Sequence, residues 1–339
     1  MRRPTIVDIA KAAGVSKGSV SYALNGRPGV SDETRKRILA IAHDLGWAPS
    51  SPARALSSGG RVGAIGLVID RPAHVLGVEP FFMQLVSGIE AELTGSGVDL
   101  LLQVTEEHQA EVAAYRRWAA EQRVDGVIIV DVRTEDPRFE AVQKTFLPTV
   151  VLGGPEGIGS LPCLYTDESA PVREVVHYLG ALGHQRIARI AGPEYFVHTG
   201  KRTRAFLEAA EEAGIAEVYT EHADYTGEAG TRITRRLLTR TDRPTALVYD
   251  NDLMAVAGLG VARELGVDVP SQLSIVAWDD STLCGLVRPA LTAVVRDVVS
   301  YGREAARMLV KVVSGERVQN KEISAGELQP RASTGLLLS

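Results

Sequence analysis

The sequence predicts two architectures in one chain: a small all-α N-terminal module, then an α/β body of two doubly wound parallel-sheet lobes. Three observations carry this. Residues 5–45 place apolar side chains at helical spacing, interrupted at Gly14 and Asn25-Gly26 and ended at Gly46. From Arg61 onward, apolar runs of strand length alternate with helix-length stretches, the pattern of repeated βαβ units. The charge divides at the same place. Residues 1–60 hold nine of the 37 Lys and Arg residues and four of the 42 acids, a net +5, leaving −10 on the remainder. A basic module on an acidic body points to a polyanionic partner for the module alone.

The whole-chain values bound the rest. With 339 residues, 45% hydrophobic and 23% charged, the chain has the balance of a soluble protein and is long enough for more than one core. No apolar run reaches the roughly 18–20 residues that span a bilayer, and Met1-Arg2-Arg3-Pro4-Thr5 does not open an export signal. A cytoplasmic protein without membrane contact is expected. The two cysteines, Cys163 and Cys284, are far apart and outside any metal-ligand spacing, so they read as small buried hydrophobes.

The N-terminal module reads as three helices. Thr5 with Asp8 suggests a capping box, with Val7, Ile9 and Ala10 as the apolar stripe. Ser16 caps a second helix over Lys17 to Leu24, and Ser31 caps a third over Asp32 to Leu45. The small residues Ala10, Ala12 and Ala13 allow the first two helices to cross closely. Two helices joined by a tight glycine turn form a helix-turn-helix, whose second helix fits the DNA major groove. On that helix Val20, Ala23 and Leu24 point inward, leaving Lys17, Gly18, Ser21 and Tyr22 outward.

The run TIVDIAKAAGVSKGSVSYALNGRPGVSDETRKRILAIAHDLGWAPS resembles, nearly without gaps, the headpiece of the lactose-repressor (LacI/GalR) family of bacterial transcription regulators. The resemblance implies base-edge contacts from Lys17, Gly18 and Tyr22. It implies phosphate contacts from Thr5, Ser16, Ser19, Ser21, Asn25, Ser31 and Thr34. The chemistry suits this, since an ammonium donates to guanine acceptors and hydroxyls suit phosphate oxygens. Tyr22 stands where many members carry Arg, and Gly18 where they carry a larger polar residue, so the operator sequence does not transfer.

Residues 49–60 form a linker whose centre, Ser51-Pro52-Ala53-Arg54-Ala55-Leu56, favours a helix too short to persist alone in water. The resemblance implies that Leu56 wedges into the minor groove beside Ala53, and that this helix forms only with a partner subunit and DNA.

In the body, strands are expected over residues 62–69, 99–104, 125–130, 148–152, 186–191, 217–220, 246–249 and 273–277. Helices are expected over 81–93, 111–122, 168–182, 200–213 and 252–265. Doubly wound sheets bind ligands outside the carboxyl ends of their strands, and two lobes make the cleft between them the natural site. The resemblance continues through LGHQRIARIAGP, DNDLMAVAGLGVARELGVDVPSQLSIVAWDD and RPALTAV. It implies a periplasmic-binding-protein-like sensor whose lobes exchange strands. The expected division is 1–48 for the headpiece, 49–60 for the hinge, 61–163 with 294–323 for one lobe, and 164–293 with 324–339 for the other.

Motif matching implies effector contacts from Arg202, Tyr225, Asn251 and Asp279, with Phe81 and Phe82 as an apolar wall. The side-chain chemistry, Arg, Asp and Asn with aromatics, suits a sugar- or nucleoside-like small molecule. Asn251 and Asp279 could instead simply cap the helices that follow them. The glycine run at 153–159 lacks the spacing of a phosphate loop. Asp250, Asp252, Asp279 and Asp280 are explained as loop residues without a metal, and no catalytic constellation is evident. The expectation is a homodimeric regulator, a repressor more than an activator, that binds a near-palindromic double-stranded operator. No enzyme activity, cofactor or metal is expected, and Leu336-Leu337-Leu338-Ser339 carries no tetramerising heptad. The alternative is a sugar-binding receptor without a regulatory role.

Overall fold

The structure, a computed structural model, describes residues 4–47 and 61–337. Ala53 and Leu56 therefore lie outside the described residues. The chain divides into two compact units, Met1–Gly63 and Ala64–Ser339.

In the first unit, helices α1 (Ile6–Ala13), α2 (Lys17–Leu24) and α3 (Asp32–Asp44) enclose a core of Ile9, Ala10, Ala13, Val20, Ala23, Ile38 and Ala42. Three expectations need correction. Val7 is 48% exposed, because the buried stripe on α1 runs Ile6, Ile9, Ala10, Ala13, the i, i+3, i+4, i+7 face, and Val7 lies off it. Ala12 is exposed for the same reason, so Ala10 and Ala13 alone supply the close crossing. Leu45 caps α3 from outside the helix and is exposed. Gly14 ends α1 in the left-handed conformation at φ 65°, where a side chain would be strained.

The second unit holds two six-stranded sheets. In chain order its elements begin with β1 (Ala64–Asp70), α4 (Ala73–Leu76), α5 (Pro80–Leu93), β2 (Asp99–Thr105), α6 (His108–Ala120), β3 (Gly126–Ile129), α7 (Pro137–Lys144), β4 (Thr149–Leu152) and β5 (Cys163–Thr166). Then follow α8 (Ser169–Ala181), β6 (Arg186–Ala191), α9 (Val197–Glu212), β7 (Glu217–His222), α10 (Gly227–Leu238), β8 (Ala246–Tyr249), α11 (Asp252–Glu264), β9 (Ser274–Trp278), α12 (Thr282–Leu286) and β10 (Thr292–Val295). The chain closes with α13 (Val298–Val313), β11 (Lys321–Ile323) and β12 (Glu327–Gln329).

The sheet orders are β11-β5-β4-β3-β1-β2 and β12-β10-β9-β8-β6-β7. All pairings are parallel except β10 with β12. Leaving aside β11 and β12, each sheet repeats one winding: second strand, first, third, fourth, fifth. Its topological switch point lies between β1 and β3 in one lobe, and between β6 and β8 in the other. Strands β1, β3 and β4 are almost wholly apolar and buried, as strands covered on both faces must be.

The chain passes between lobes three times: after β5, after β10 and after β11. Helix α13 packs on α5 of the first lobe through two glycines. A Cβ on Gly88 would lie 2.0 Å from the Val299 carbonyl oxygen, and one on Gly302 would lie 2.2 Å from that of Leu85. The expected division at 163/164 falls inside β5 and that at 293/294 inside β10, so both crossings come a few residues later. Strand β5 is not among the expected strands: unlike β3, β4 and β8, which are equally short but buried throughout, only its first two residues are fully buried, so it lacks a continuous apolar run. Helices α7, α10 and α13 likewise lie outside the expected set.

Candidate functional site

The first site is the outer face of α2. Ser16 caps this helix, its Oγ accepting from the Ser19 amide at 3.0 Å. Lys17, Gly18 and Tyr22 are exposed along it. The Tyr22 ring rests over Gly29, where an added Cβ would stand 3.1 Å from the ring. The hydroxyls expected to meet phosphate are partly engaged already. Thr5 donates both its amide, at 2.8 Å, and its hydroxyl, at 2.7 Å, to Asp8, so its proton is spent. Ser16 and Ser19 share one hydrogen bond at 2.9 Å, which leaves one hydroxyl proton free. Ser31 donates to Thr34 at 2.9 Å, leaving the Thr34 proton available. Asn25 donates weakly to Ser21, at 3.4 Å.

The second site is the cleft between the lobes of the α/β unit, lined by the carboxyl ends of both sheets. From the first lobe come Arg71 after β1, Asp131 after β3, and Glu79 and Phe81 at the start of α5. From the second come Asp250 and Asn251 after β8, Tyr225 after β7, Asp279 after β9, and His198, Lys201 and Arg202 on α9. The strands that flank the two switch points thus deliver Arg71, Asp131 and Asp250. Glu168, between β5 and α8, and Arg296, after β10, stand where the chain crosses.

The lobes touch directly. Thr134 donates its amide to the Tyr195 carbonyl at 3.0 Å, and Val197 donates to Val132 at 2.9 Å. Lys201 pairs with Glu156 at 2.7 Å. The Arg71 guanidinium, from the first lobe, lies 5.3 Å from the ring centres of both Phe196 and Tyr225 of the second.

The four cations of the lining each have a carboxylate partner. Arg71 reaches Asp131 at 2.7 Å and Glu79 at 3.3 Å. Arg202 donates from Nε to Glu168 at 2.6 Å and stacks 4.1 Å above the Trp278 ring. Arg296 donates to Asp279 at 2.6 Å and lies 3.5 Å from Glu168. Lys201 has Glu156. Beneath the floor, Arg189 holds Asp250 through two bonds, at 2.9 and 2.6 Å, and the Gly192 amide adds a third.

These partners set the titration of the site. Burial works against ionised Glu168, but Arg202 and then Arg296 overcome it and hold the carboxyl down at about 2. Burial, reinforced by Arg202, depresses His198 to about 4, so this imidazole is neutral at pH 7, hydrogen-bonded to the Tyr225 hydroxyl at 2.8 Å. Glu79 behaves oppositely: burial pushes it up to about 7 despite Arg71. Asp131, Tyr225 and Asp279 hold positive φ, at 51°, 68° and 62°. These are three of the six such non-glycine residues among those described, and strain of this kind concentrates where a side chain must be aimed.

Arg202, Tyr225, Asn251, Asp279 and Phe81 stand together in the lining. Phe82 does not. It is 1% exposed in the first-lobe core, with its ring 5.2 Å from the Arg71 guanidinium, so it supports the wall from behind. Asn251 does cap the following helix: its Oδ1 accepts from the Met254 amide at 2.9 Å, while Nδ2 donates to the Tyr225 carbonyl at 2.9 Å. Oδ1 thus serves the cap and one Nδ2 hydrogen holds Tyr225, which leaves the second amide hydrogen of this lining residue for another acceptor. Asp279 is no cap, because Ser281 caps α12 and the Asp279 carboxylate binds Arg296. The four aspartates weighed as a hard-metal set are dispersed among Arg189, Ser281, Arg296 and Arg331.

Known proteins resemble both parts of the chain. Residues 5–50 match the model for bacterial regulatory proteins of the lacI family, and residues 176–334 match a periplasmic binding protein-like domain. The transcriptional regulator CelR of Thermobifida fusca is 33% identical over 322 residues, covering 94% of each chain. The chain belongs to the lacI family. A solved CelR-cellobiose complex aligns over 98% of this chain and 100% of that one, at 30% identity and TM-score 0.73. The lac repressor dimer bound to operator and the anti-inducer ONPF aligns over 98% and 100%, at 25% identity and TM-score 0.86.

This lacI-family chain is therefore a DNA-binding transcription regulator with a helix-turn-helix headpiece and a periplasmic-binding-protein-like body. Among the described residues no helix is long and apolar enough to cross a membrane. The regulator's cleft holds residues not singled out in the sequence, Arg71, Glu79, Asp131, Glu168 and Arg296, and also His198, which reads in the sequence as a histidine without a nucleophile partner. A usable signal existed for some of them. Arg71 and Asp131 lie within two residues of the ends of apolar strands, the positions from which doubly wound sheets present ligand contacts.

Proposed function

We propose that this regulator is a cytoplasmic, homodimeric repressor without enzyme activity, whose grip on a near-palindromic operator is set by a small neutral, polyhydroxylated effector, a sugar, held in the cleft. Lys17, Gly18 and Tyr22 read base edges. Ser16, Ser19, Ser21, Asn25, Ser31 and Thr34 meet phosphates, Thr5 doing so only by giving up Asp8. Arg202, Asp279, Tyr225 and Asn251 meet the effector, Asn251 through the amide hydrogen that Tyr225 does not use.

The observation that carries the effector class is the pairing of every lining cation with a carboxylate. A phosphorylated ligand needs a cation surplus that the cleft does not offer. A sugar exchanges hydroxyls into existing Arg–carboxylate pairs without changing the charge, and aromatic rings cover its apolar face. By holding both lobes the effector biases their closure, and operator affinity and effector affinity are then linked by one reciprocal coupling energy.

The test is a thermal-shift screen of mono- and disaccharides, cellobiose included, beside sugar phosphates and purines. Titration of a selected operator with and without each hit follows. A neutral sugar that stabilises the protein and shifts operator affinity at least fivefold supports the reading. A stabilising sugar phosphate or purine, or a bound sugar that leaves operator affinity unmoved, overturns it.

A further inference from the structure

On the first lobe, at the carboxyl end of β1 and the first turn of α6, three potential ligands converge: Asp70, His108 and Glu111. One ligand atom from each lies within 4.8 Å of the others. The Glu111 side chain is fully buried, and its two oxygens are treated very differently. Oε1 accepts from Arg138 at 2.6 Å and from the Tyr115 hydroxyl at 2.9 Å. Oε2 has no hydrogen-bond partner and faces His108 Nδ1 at 3.6 Å, too far for a hydrogen bond. Both ring nitrogens of His108 are likewise buried without a partner. A buried carboxylate oxygen and a buried imidazole left unsatisfied side by side are costly unless something sits between them.

We propose that Asp70, His108 and Glu111 bind a divalent transition-metal ion, with zinc the best match. The separation of 3.6 Å is close to the roughly 3.4 Å spanned by two ligands that each lie about 2.1 Å from one tetrahedral zinc. One imidazole and two carboxylates suit zinc and its neighbours, and the single nitrogen donor disfavours magnesium and calcium. The surroundings are built as an outer shell should be. Arg138 and Tyr115 fix Glu111 through Oε1 and leave Oε2 free, and Arg133 pairs with Asp70 through one oxygen, Oδ2.

The site is also connected to the cleft. Asp70 is followed in sequence by Arg71, and Arg133 stacks 4.9 Å from the Tyr195 ring of the opposite lobe. A metal on Asp70 would therefore sit beside both arginines that reach the opposite lobe, Arg71 donating to the Asp70 carbonyl and Arg133 to its carboxylate.

The experiment uses the full chain, stripped with chelator and titrated with zinc by calorimetry and with cobalt(II) by visible absorption. Parallel titrations use His108→Ala, Asp70→Asn and, as a control, His177→Ala, which alters an exposed histidine elsewhere. Partly exposed His108 and Asp70 are chosen because Glu111→Gln also removes one of the two carboxylate partners of buried Arg138. The expected result is one zinc per chain, affinity at least tenfold lower in both site variants and unchanged in the control, and cobalt d–d bands that vanish with His108→Ala. Equal affinity in wild type and His108→Ala overturns the proposal. So does a His108 ring that titrates with protons while its NMR signals ignore zinc. Neither readout involves operator or effector, so the outcome is independent of the proposed regulatory function.

Discussion

The outer face of α2 and the interlobe cleft use charge in opposite ways. On α2, Lys17 and Tyr22 stand exposed on one short helix, with no carboxylate among the described residues holding either. In the cleft, Arg71 and Arg202 are 7% and 3% exposed and are held against carboxylates delivered from distant parts of the chain. An exposed cation facing solvent interacts with a polyanion at long range and is screened by salt. A buried paired cation has little reach, but removing it strands its partner in a low-dielectric site. Substitutions on α2 should therefore cost what the lost contact contributed. Those in the cleft should cost more than the contact they delete.

The largest effect should come from breaking a cleft pair. Arg202→Met leaves Glu168 with Arg296, 3.5 Å away, as its one cation beside the Thr166 hydroxyl, and removes the cation above Trp278. Breaking a buried pair costs about 3–5 kcal/mol. A fall in effector affinity of about 100-fold or more is expected in calorimetry, together with a lower melting temperature, while operator affinity without effector stays within about threefold. Adding Glu168→Gln to Arg202→Met should recover the melting temperature but not the binding. Recovery of both would mean that Arg202 serves only to neutralise Glu168, and the contrast between the two sites would weaken.

The same contrast explains what could be read from the sequence. The α2 face was legible because all its members lie on one helix, and a period of 3.6 residues decides which side each one takes. Even so, spacing alone misplaced Val7 and Ala12 by one position around α1. The cleft was legible only in part. Asp279 lies in a recognisable run, and Arg202 and Tyr225 lie at positions the family resemblance implies. Their partners do not: Arg202 meets Glu168 34 positions away, and Arg71 meets Asp131 across the switch point of the first sheet. Such pairs are set by strand order, which the sequence does not spell out. Phe82 shows the converse. Of two adjacent aromatics at a helix start, the helical turn aims one at the cleft and the other at the core, and a dipeptide cannot say which.

A smaller effect tests the α2 side. Lys17→Ala should weaken binding to the selected operator by about tenfold, within the roughly 1–3 kcal/mol of a base contact, and should weaken random duplex much less. If the loss is instead uniform across sequences and the salt dependence falls by about one charge, Lys17 meets phosphate and not a base. Tyr22→Phe beside Tyr22→Ala separates the hydroxyl from the ring. Because α2 contributes nothing to the cleft, effector affinity should not change in any of these variants. A change above about twofold would contradict the division between the two sites.

The smallest effect probes a cleft group whose charge the site barely tolerates. Burial lifts Glu79 from 4.5 to about 7, so the folded chain holds this proton more tightly than the unfolded chain does. The resulting stabilisation is fully present below about pH 4.5 and is lost as pH rises through 7, where the carboxylate ionises inside the protein. Glu79→Gln mimics the protonated form at every pH. At pH 5 wild type and variant should melt within about a degree or two of each other. At pH 8 the variant should be the more stable, by at most about 3 kcal/mol, since a tenfold change in proton affinity corresponds to about 1.4 kcal/mol. That gain corresponds to a rise of several degrees. His198 and Asp252, whose folded values of about 4 and about 6 also lie away from the ordinary ones, titrate in both proteins and cancel in the difference. A variant less stable than wild type at pH 8 would mean that ionised Glu79 is a needed partner of Arg71. The cleft would then gain from this carboxylate where its burial argues for a cost, and Glu79 would join Asp131 as a true counterion.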